Sequence, residues 1–154
     1  MKSIVIIIMS VFGLLKAEAM QQFNISEYQG KVVYLDFWAS WCVPCRQSFP
    51  WLNSMQEKYA AKGLVIVAVN LDKDAHLAAE FLKEYPANFS IIYDPTGELA
   101  KKHQIPGMPS SILFNRSGMA IQAHSGFFKS KAKLYELEIQ KALGLIREEL
   151  SIEN

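Results

Sequence analysis

One short stretch of the sequence constrains the fold more than any other, because it joins a strand pattern, both cysteines of the chain and a helix pattern. Val32 to Ala39 is apolar and rich in β-branched and aromatic residues, interrupted only by Asp36, which predicts a buried central strand. Cys42 and Cys45 follow, and Arg46 to Lys62 then has apolar residues at helical spacing. The stretch therefore predicts a strand, a turn carrying two cysteines, and a helix.

The cysteine spacing favours redox chemistry over structural cross-linking. A disulfide across two residues closes so short a loop that it stabilises a fold very little. Residues three apart lie on one face of a helix, with Cα atoms ~5 Å apart, which a disulfide can bridge. If Cys42 opens the helix, its sulfur faces unpaired N–H groups that favour the thiolate, so Cys42 is predicted to be the exposed nucleophile. Cys45 is then the resolving thiol.

A zinc site is the alternative use of this cysteine pair. Structural zinc is tetrahedral and usually takes a second pair of ligands. The candidates are His76, His103 and His124, which are scattered along the sequence. No metal site is therefore expected.

The N-terminal residues have the pattern of a secretory signal peptide. Lys2 precedes an apolar run from Ile4 to Leu15, and Ala17-Glu18-Ala19 fits a cleavage signal. The run is shorter than the ~20 residues of a membrane-spanning helix. We therefore expect residues 1–19 to be a signal peptide and residues 20–154 to form one exported, periplasmic domain without a membrane anchor. An uncleaved anchor or a buried strand is the alternative.

The charge balance argues against nucleic-acid binding. The chain has 16 basic and 15 acidic residues and a formal net charge of +1, with no long run of like charge. Nucleic-acid-binding domains instead carry a marked basic patch or stripe.

The rest of the chain alternates between strand and helix patterns and ends in a hairpin and a helix, which predicts an α/β fold with a mixed sheet. Further strands are predicted at Leu64–Leu71, Phe89–Tyr93, Ser111–Phe114 and Ala120–Ser125, and further helices at Asp74–Tyr85, Glu98–His103 and Lys129–Leu150. In the second helix, Leu77, Phe81 and Leu82 are expected to face inward.

The segment FWASWCVPCR resembles the active-site segment of the thioredoxin superfamily. Pro50 lies where thioredoxins kink their active-site helix, and Ile105 to Pro109 resembles the loop that carries the family's cis-proline. The helix and strand between Leu71 and Pro95 resemble the insertion of the exported TlpA/ResA-like branch. The resemblance covers about residues 23–148. It implies a thioredoxin-like fold, in which helices flank a central mixed β-sheet, with a helix–strand insertion.

The resemblance also implies a substrate-binding surface. Pro109 is expected to be cis and to lie beside the dithiol. The backbone of Met108 is then expected to pair with a substrate strand through hydrogen bonds. Trp41, directly before the nucleophile, is expected to be partly exposed as a contact surface. No cofactor is expected.

Asp36 is where the sequence departs from the TlpA/ResA-like branch. That branch commonly has asparagine in the strand and a glutamate three residues after the second cysteine, whereas this chain has Asp36 and Ser48. In thioredoxins an aspartate at this position handles the proton of the resolving cysteine. The thioredoxin lysine near it aligns with Ala68, so desolvation should raise the pKa of Asp36 and suit it to act as proton acceptor for Cys45. The alternative is a structural carboxylate held by backbone donors.

These features predict an exported thiol–disulfide oxidoreductase that acts on protein thiols and disulfides. The Val43-Pro44 pair has no histidine to stabilise a Cys42 thiolate, which favours a reductase supplied by a membrane electron donor. An oxidase or isomerase of the same fold is one alternative. A copper-handling module that uses Cys42, Cys45 and Met108 as soft ligands is another.

Overall fold

A five-stranded mixed sheet organises residues 23–146, which the computed structural model describes. The strand order is β3-β2-β1-β4-β5. The pairs β1–β2 and β2–β3 are parallel, and the pairs β1–β4 and β4–β5 are antiparallel. The elements along the chain are β1 (Val32–Trp38), α1 (Cys45–Tyr59), β2 (Leu64–Asn70), α2 (Ala75–Glu84), β3 (Ser90–Tyr93), α3 (Glu98–Lys102), β4 (Ser110–Phe114), β5 (Ala120–Ser125) and α4 (Ala132–Leu143). The predicted α/β, thioredoxin-like architecture with its helix–strand insertion is confirmed.

β1 lies at the centre of the sheet and is buried along its whole length. Because successive side chains of a strand point to opposite faces, β1 contributes to two separate apolar clusters. Tyr34 and Trp38 pack in the cluster on the α1 side, which also contains both cysteines. Leu35 and Phe37 pack in the cluster on the other face. Asp36 lies two residues from both Tyr34 and Trp38, so its side chain points to the same face of the sheet, the α1 side.

Three loops meet at the edge of the sheet where β1 ends. Trp38, the last residue of β1, pairs with Asn70, the last residue of the parallel strand β2. In the antiparallel strand β4, Ser110 pairs with Phe37, so the residues before Ser110 lie just beyond the end of β1. The loop that carries the cysteines, the loop after β2 and the loop before β4 therefore share one edge.

Two predicted helices differ in detail from the structure. Leu77 does not face inward: its side chain is 47% exposed, and Ala78 and Phe81 are the buried residues of α2. α4 ends at Leu143, earlier than predicted, because Gly144 takes a left-handed φ of 74° and caps the helix. Its N–H and that of Leu145 donate to carbonyls of the last turn.

Some predictions fall on residues outside the described part of the chain. These are the signal peptide at residues 1–19 and the extension of the last helix to Leu150. Between residues 23 and 146, every helix is too short or too polar to cross a membrane.

Candidate redox site

The turn between β1 and α1 carries the cysteines and is closed by backbone hydrogen bonds. The N–H of Cys42 donates to the carbonyl of Ala39 at 3.1 Å, and the N–H of Cys45 donates to the carbonyl of Cys42 at 3.2 Å. α1 begins at Cys45, with Pro44 as its N-cap. Cys42 therefore precedes the helix instead of opening it, because Pro44 occupies the cap.

Cys42 and Cys45 form a disulfide with an S–S distance of 2.05 Å and a Cα–Cα distance of 5.3 Å. Cys42 is 3% exposed and Cys45 is fully buried. The expected exposure of Cys42 is therefore wrong for the disulfide form, because the bonded sulfur packs into the cluster on the α1 side of the sheet. The two cysteine residues therefore differ little in exposure in this form.

Exposed apolar residues flank Cys42 in the sequence. Trp41 is 66% exposed and Val43 is 62% exposed, on either side of Cys42. Exposed apolar side chains that neighbour each other are typical of interaction surfaces. Trp41 has the exposed position that the sequence predicts.

The loop before β4 completes this edge of the sheet. The Met108–Pro109 peptide bond is cis, as the resemblance implies. Met108 is half-buried and packs against the cluster that contains both cysteines, whereas Pro109 is buried. The carbonyl of Pro109 accepts a 2.7 Å hydrogen bond from the N–H of Gly126, which ties this loop to the end of β5.

Asp36 lies in β1 as a buried carboxyl group, and residues 23–146 form no salt bridge with it. It is 3% exposed, and within residues 23–146 its Oδ2 makes no hydrogen bond. Its neighbours across the sheet are Ala68 of β2 and Ser111 of β4. Ala68 occupies the position of the thioredoxin lysine, so no cation offsets the burial there. Desolvation therefore raises the pKa of Asp36 well above its ordinary value.

The hydroxyl groups next to Asp36 are bonded to each other. Tyr34 Oη and Ser111 Oγ are 2.8 Å apart and buried. Burial, together with the nearby Asp36 carboxylate, raises the pKa of the Tyr34 phenol. Ser48, where the related branch has glutamate, is buried and donates from its Oγ to the carbonyl of Cys45 at 3.1 Å. Asp36 is thus the buried carboxyl group on the cysteine side of β1.

A second buried carboxyl group lies at this edge, at a residue that the sequence patterns above did not single out. Asp72 follows β2, is 4% exposed, and accepts hydrogen bonds from Ser40 and Asn70. A signal for it was present: polar residues that follow a buried parallel strand lie at the same edge as the turn after the neighbouring strand. Asn70-Leu71-Asp72 has that pattern.

In the described structure, His103 and His124 contact side chains other than the cysteines. His124 Nε2 is 2.7 Å from Glu138 Oε2, and His103 packs against the rings of Phe37 and Phe114. Residues 23–146 contain no group of three or more His, Cys, Asp or Glu side chains that could hold a metal ion.

Comparison with known proteins finds a family model and several curated relatives that match this chain. The Redoxin family matches residues 9–139. The thiol-disulfide oxidoreductase ResA of Bacillus thuringiensis subsp. konkukian is 32% identical over 106 residues, which are 69% of this chain and 61% of that protein. ResA of Bacillus subtilis is 28% identical over 106 residues, 69% of this chain and 59% of that protein. The chain thus spans about three fifths of the length of these relatives.

Solved structures of similar proteins share the fold. A structure from Chlorobium tepidum that carries the name thiol:disulfide interchange protein DsbE matches with a TM-score of 0.76 and 49% identity, over 78% of this chain and 85% of that one. StoA from Bacillus subtilis matches with a TM-score of 0.61 and 28% identity, over 71% of this chain and 82% of that one.

Replacing Asp36 with asparagine should raise stability in a pH-dependent manner. Because burial raises the pKa of Asp36 in the folded state, the native protein resists ionisation of this group. The resulting loss of stability starts near the unfolded-state pKa of about 4 and grows as the pH rises toward the folded-state pKa. Asp36→Asn should therefore match the wild type near pH 4 and exceed its free energy of unfolding by roughly 1–3 kcal/mol at pH 7.

Urea unfolding of both proteins with the disulfide intact, at several pH values, measures this difference. The control is Asp94→Asn, because Asp94 is buried but accepts three backbone N–H bonds at the start of α3 and should lose stability when neutralised. A clear loss of stability in Asp36→Asn at pH 7 would show that the Asp36 carboxylate is a satisfied structural group.

Proposed function

Because this chain belongs to the Redoxin family, as a TlpA/ResA-like member of the thioredoxin superfamily, we propose that it is a thiol–disulfide oxidoreductase acting on protein disulfides. The observation that carries the proposal is the disulfide between Cys42 and Cys45, which uses both cysteines of the chain. It lies at the sheet edge between two exposed apolar residues, and its loop is too short to stabilise the fold appreciably. Reversible exchange explains such a bridge better than structural cross-linking.

In the reductive direction the cycle starts from the dithiol. The Cys42 thiolate attacks one sulfur of a partner disulfide, forms a mixed disulfide and expels the other partner sulfur as a thiolate. Cys45 then loses its proton, and its thiolate attacks the Cys42 sulfur. This second step forms the Cys42–Cys45 disulfide and releases the second partner thiol. The partner gains two electrons, and the protein is oxidised by the same two.

Asp36 is the group proposed to accept the proton of Cys45. It points to the face of β1 that packs against Cys45, and its cross-strand neighbours, Ala68 and Ser111, are uncharged. A raised pKa brings a carboxyl group closer to the working pH, which suits proton exchange with a thiol. In the reverse reaction the protonated Asp36 would return the proton to the Cys45 thiolate.

Substrate contacts are proposed at the same edge. Trp41 offers an exposed aromatic surface next to Cys42. The cis peptide before Pro109 lies just beyond the end of β1, where the backbone of Met108 would pair with an extended substrate segment. Backbone pairing of this kind accepts many sequences, as a protein acting on several partners would need.

We further propose that the protein works outside the cytoplasm as a reductase. Val43 and Pro44 provide no cation to stabilise a Cys42 thiolate, which argues against a strongly oxidising disulfide. The pattern of residues 1–19 supports export to the periplasm, where a reductase needs electrons from a donor in the membrane. The oxidase alternative differs in the direction of electron flow, whereas an isomerase would rearrange partner disulfides without net transfer of electrons.

Insulin reduction tests the exchange chemistry, and the equilibrium with glutathione tests its direction. The wild-type protein should reduce insulin disulfides when supplied with dithiothreitol, and Cys42→Ser should not. The reduction potential of the dithiol should lie below about −200 mV, the range of reducing members of this superfamily. A potential near −120 mV would favour the oxidase alternative, and a wild type without exchange activity would overturn the proposal.

Trapping with Cys45→Ala tests the assigned roles of the cysteines. Without a resolving thiol, mixed disulfides on Cys42 should persist and be visible as reducible adducts on non-reducing gels. The matched control, Cys42→Ala, should accumulate far fewer adducts. Equal trapping by the two variants would contradict the assignment of Cys42 as nucleophile.

Asp36→Asn tests the proton-transfer role. Insulin reduction should slow by roughly a hundredfold or more at neutral pH, the lower end of the usual contribution of a general base. The defect should shrink at higher pH, because Cys45 then ionises without help. A rate equal to that of the wild type at every pH would show that Asp36 has no part in proton transfer.

A further inference from the structure

Asp72 forms a buried hydrogen-bonded clamp on the turn that leads to Cys42. Its Oδ2 accepts from the N–H of Ser40 at 2.9 Å and from Asn70 Nδ2 at 2.7 Å, and its Oδ1 accepts from Ser40 Oγ at 2.8 Å. The N–H of Asp72 in turn donates to Asn70 Oδ1 at 3.1 Å. Both oxygens of the carboxylate are thus engaged, and Ser40 is held through its backbone and its side chain.

The clamp acts on a segment that is also fixed at its two ends. Before it, the N–H of Leu71 donates to the carbonyl of Trp38 at 2.9 Å, which joins the loop after β2 to the end of β1. After it, the N–H of Cys42 donates to the carbonyl of Ala39. Ser40 lies between these bonds, so Asp72 removes much of the backbone freedom left to the residues before Cys42.

The surface residues of the turn do not provide this restraint. Trp41 is 66% exposed and Val43 is 62% exposed, so neither is anchored by burial. Burying a carboxylate is costly unless donors satisfy it, and charge-assisted hydrogen bonds are the stronger kind. A buried carboxylate with three donors is therefore a rigid support for a turn that is otherwise apolar and exposed.

We propose that Asp72 is a positioning residue for disulfide exchange: by clamping Ser40 it fixes the turn that presents Trp41 and Cys42, and so sets the redox equilibrium of the Cys42–Cys45 disulfide. The inference rests on the proposed function only for its biological use, because the equilibrium is a property of the two cysteines themselves. A fixed turn keeps the two sulfurs close in the dithiol and so favours the disulfide. Releasing the turn lowers their effective concentration and makes the disulfide more oxidising.

Glutathione equilibria of variants test this role. Asp72→Asn keeps the size of the side chain but loses one acceptor oxygen and the charge. It should lower the equilibrium constant for forming the disulfide about tenfold, the scale of one residue's backbone freedom, which raises the reduction potential by about 30 mV. Ser40→Ala should shift the constant in the same direction by roughly threefold, since it loses only the hydroxyl bond. Ser40→Thr, which keeps the hydroxyl, should restore the wild-type value.

The double variant and a matched control separate positioning from general stability. Ser40 and Asp72 act through the same hydrogen bonds. The variant that combines Asp72→Asn with Ser40→Ala should therefore shift the equilibrium constant for disulfide formation by less than the product of the two single shifts. Asp94→Asn removes another buried carboxylate that accepts three backbone N–H bonds, at α3. It should lower the melting temperature but leave the constant within twofold of the wild type.

The proposal is overturned if Asp72→Asn and Ser40→Ala both leave the equilibrium constant within twofold of the wild type. It is equally overturned if Asp94→Asn shifts the constant as much as Asp72→Asn. If Asp72→Asn does not fold, the comparison of Ser40→Ala with Ser40→Thr decides alone. A wild type that fails to reduce insulin overturns the proposed function but not this inference, because the glutathione equilibrium needs no protein substrate.

Discussion

The complete burial of β1 is the constraint on which the rest of the structure depends. A strand covered on both faces must place apolar side chains on each, and β1 does so with alternating residues that build two clusters. The one carboxyl group in the strand, Asp36, is therefore forced into the interior on the side of the cysteines. Its raised pKa follows from this position, since no cation in the neighbouring strands compensates for the lost water.

Two buried aspartates near the cysteine turn illustrate how environment suits one residue type to different proposed roles. Asp72 receives three hydrogen bonds from Ser40 and Asn70, so its charge is satisfied and it can hold a turn in place. Asp36 has one oxygen without a partner within residues 23–146, so it can gain or lose a proton without breaking a network. The first arrangement suits positioning and the second suits proton transfer.

Parallel strands bring these groups together. β1 and β2 end at paired residues, so the turn carrying Cys42 and the loop carrying Asp72 leave the sheet side by side. The antiparallel strand β4 starts at the same edge and delivers the cis-proline loop there. Each piece of the proposed site thus comes from a different stretch of the sequence, and the sheet register is what makes them neighbours.

The sequence by itself determined the order of strands and helices, the cysteine pair as the proposed reactive centre, and the buried position of Asp36, because these depend on local periodicity and on spacing within one segment. Only the tertiary structure decided that Cys42 is buried when bonded, that Leu77 points outward, and that Asp72 clamps Ser40. Those outcomes depend on which surfaces pack against each other, and the two partners of the clamp lie 32 residues apart in the chain. Periodicity within one segment carries no information about a partner in another segment. The register between β1 and β2 is what brings Asp72 next to Ser40.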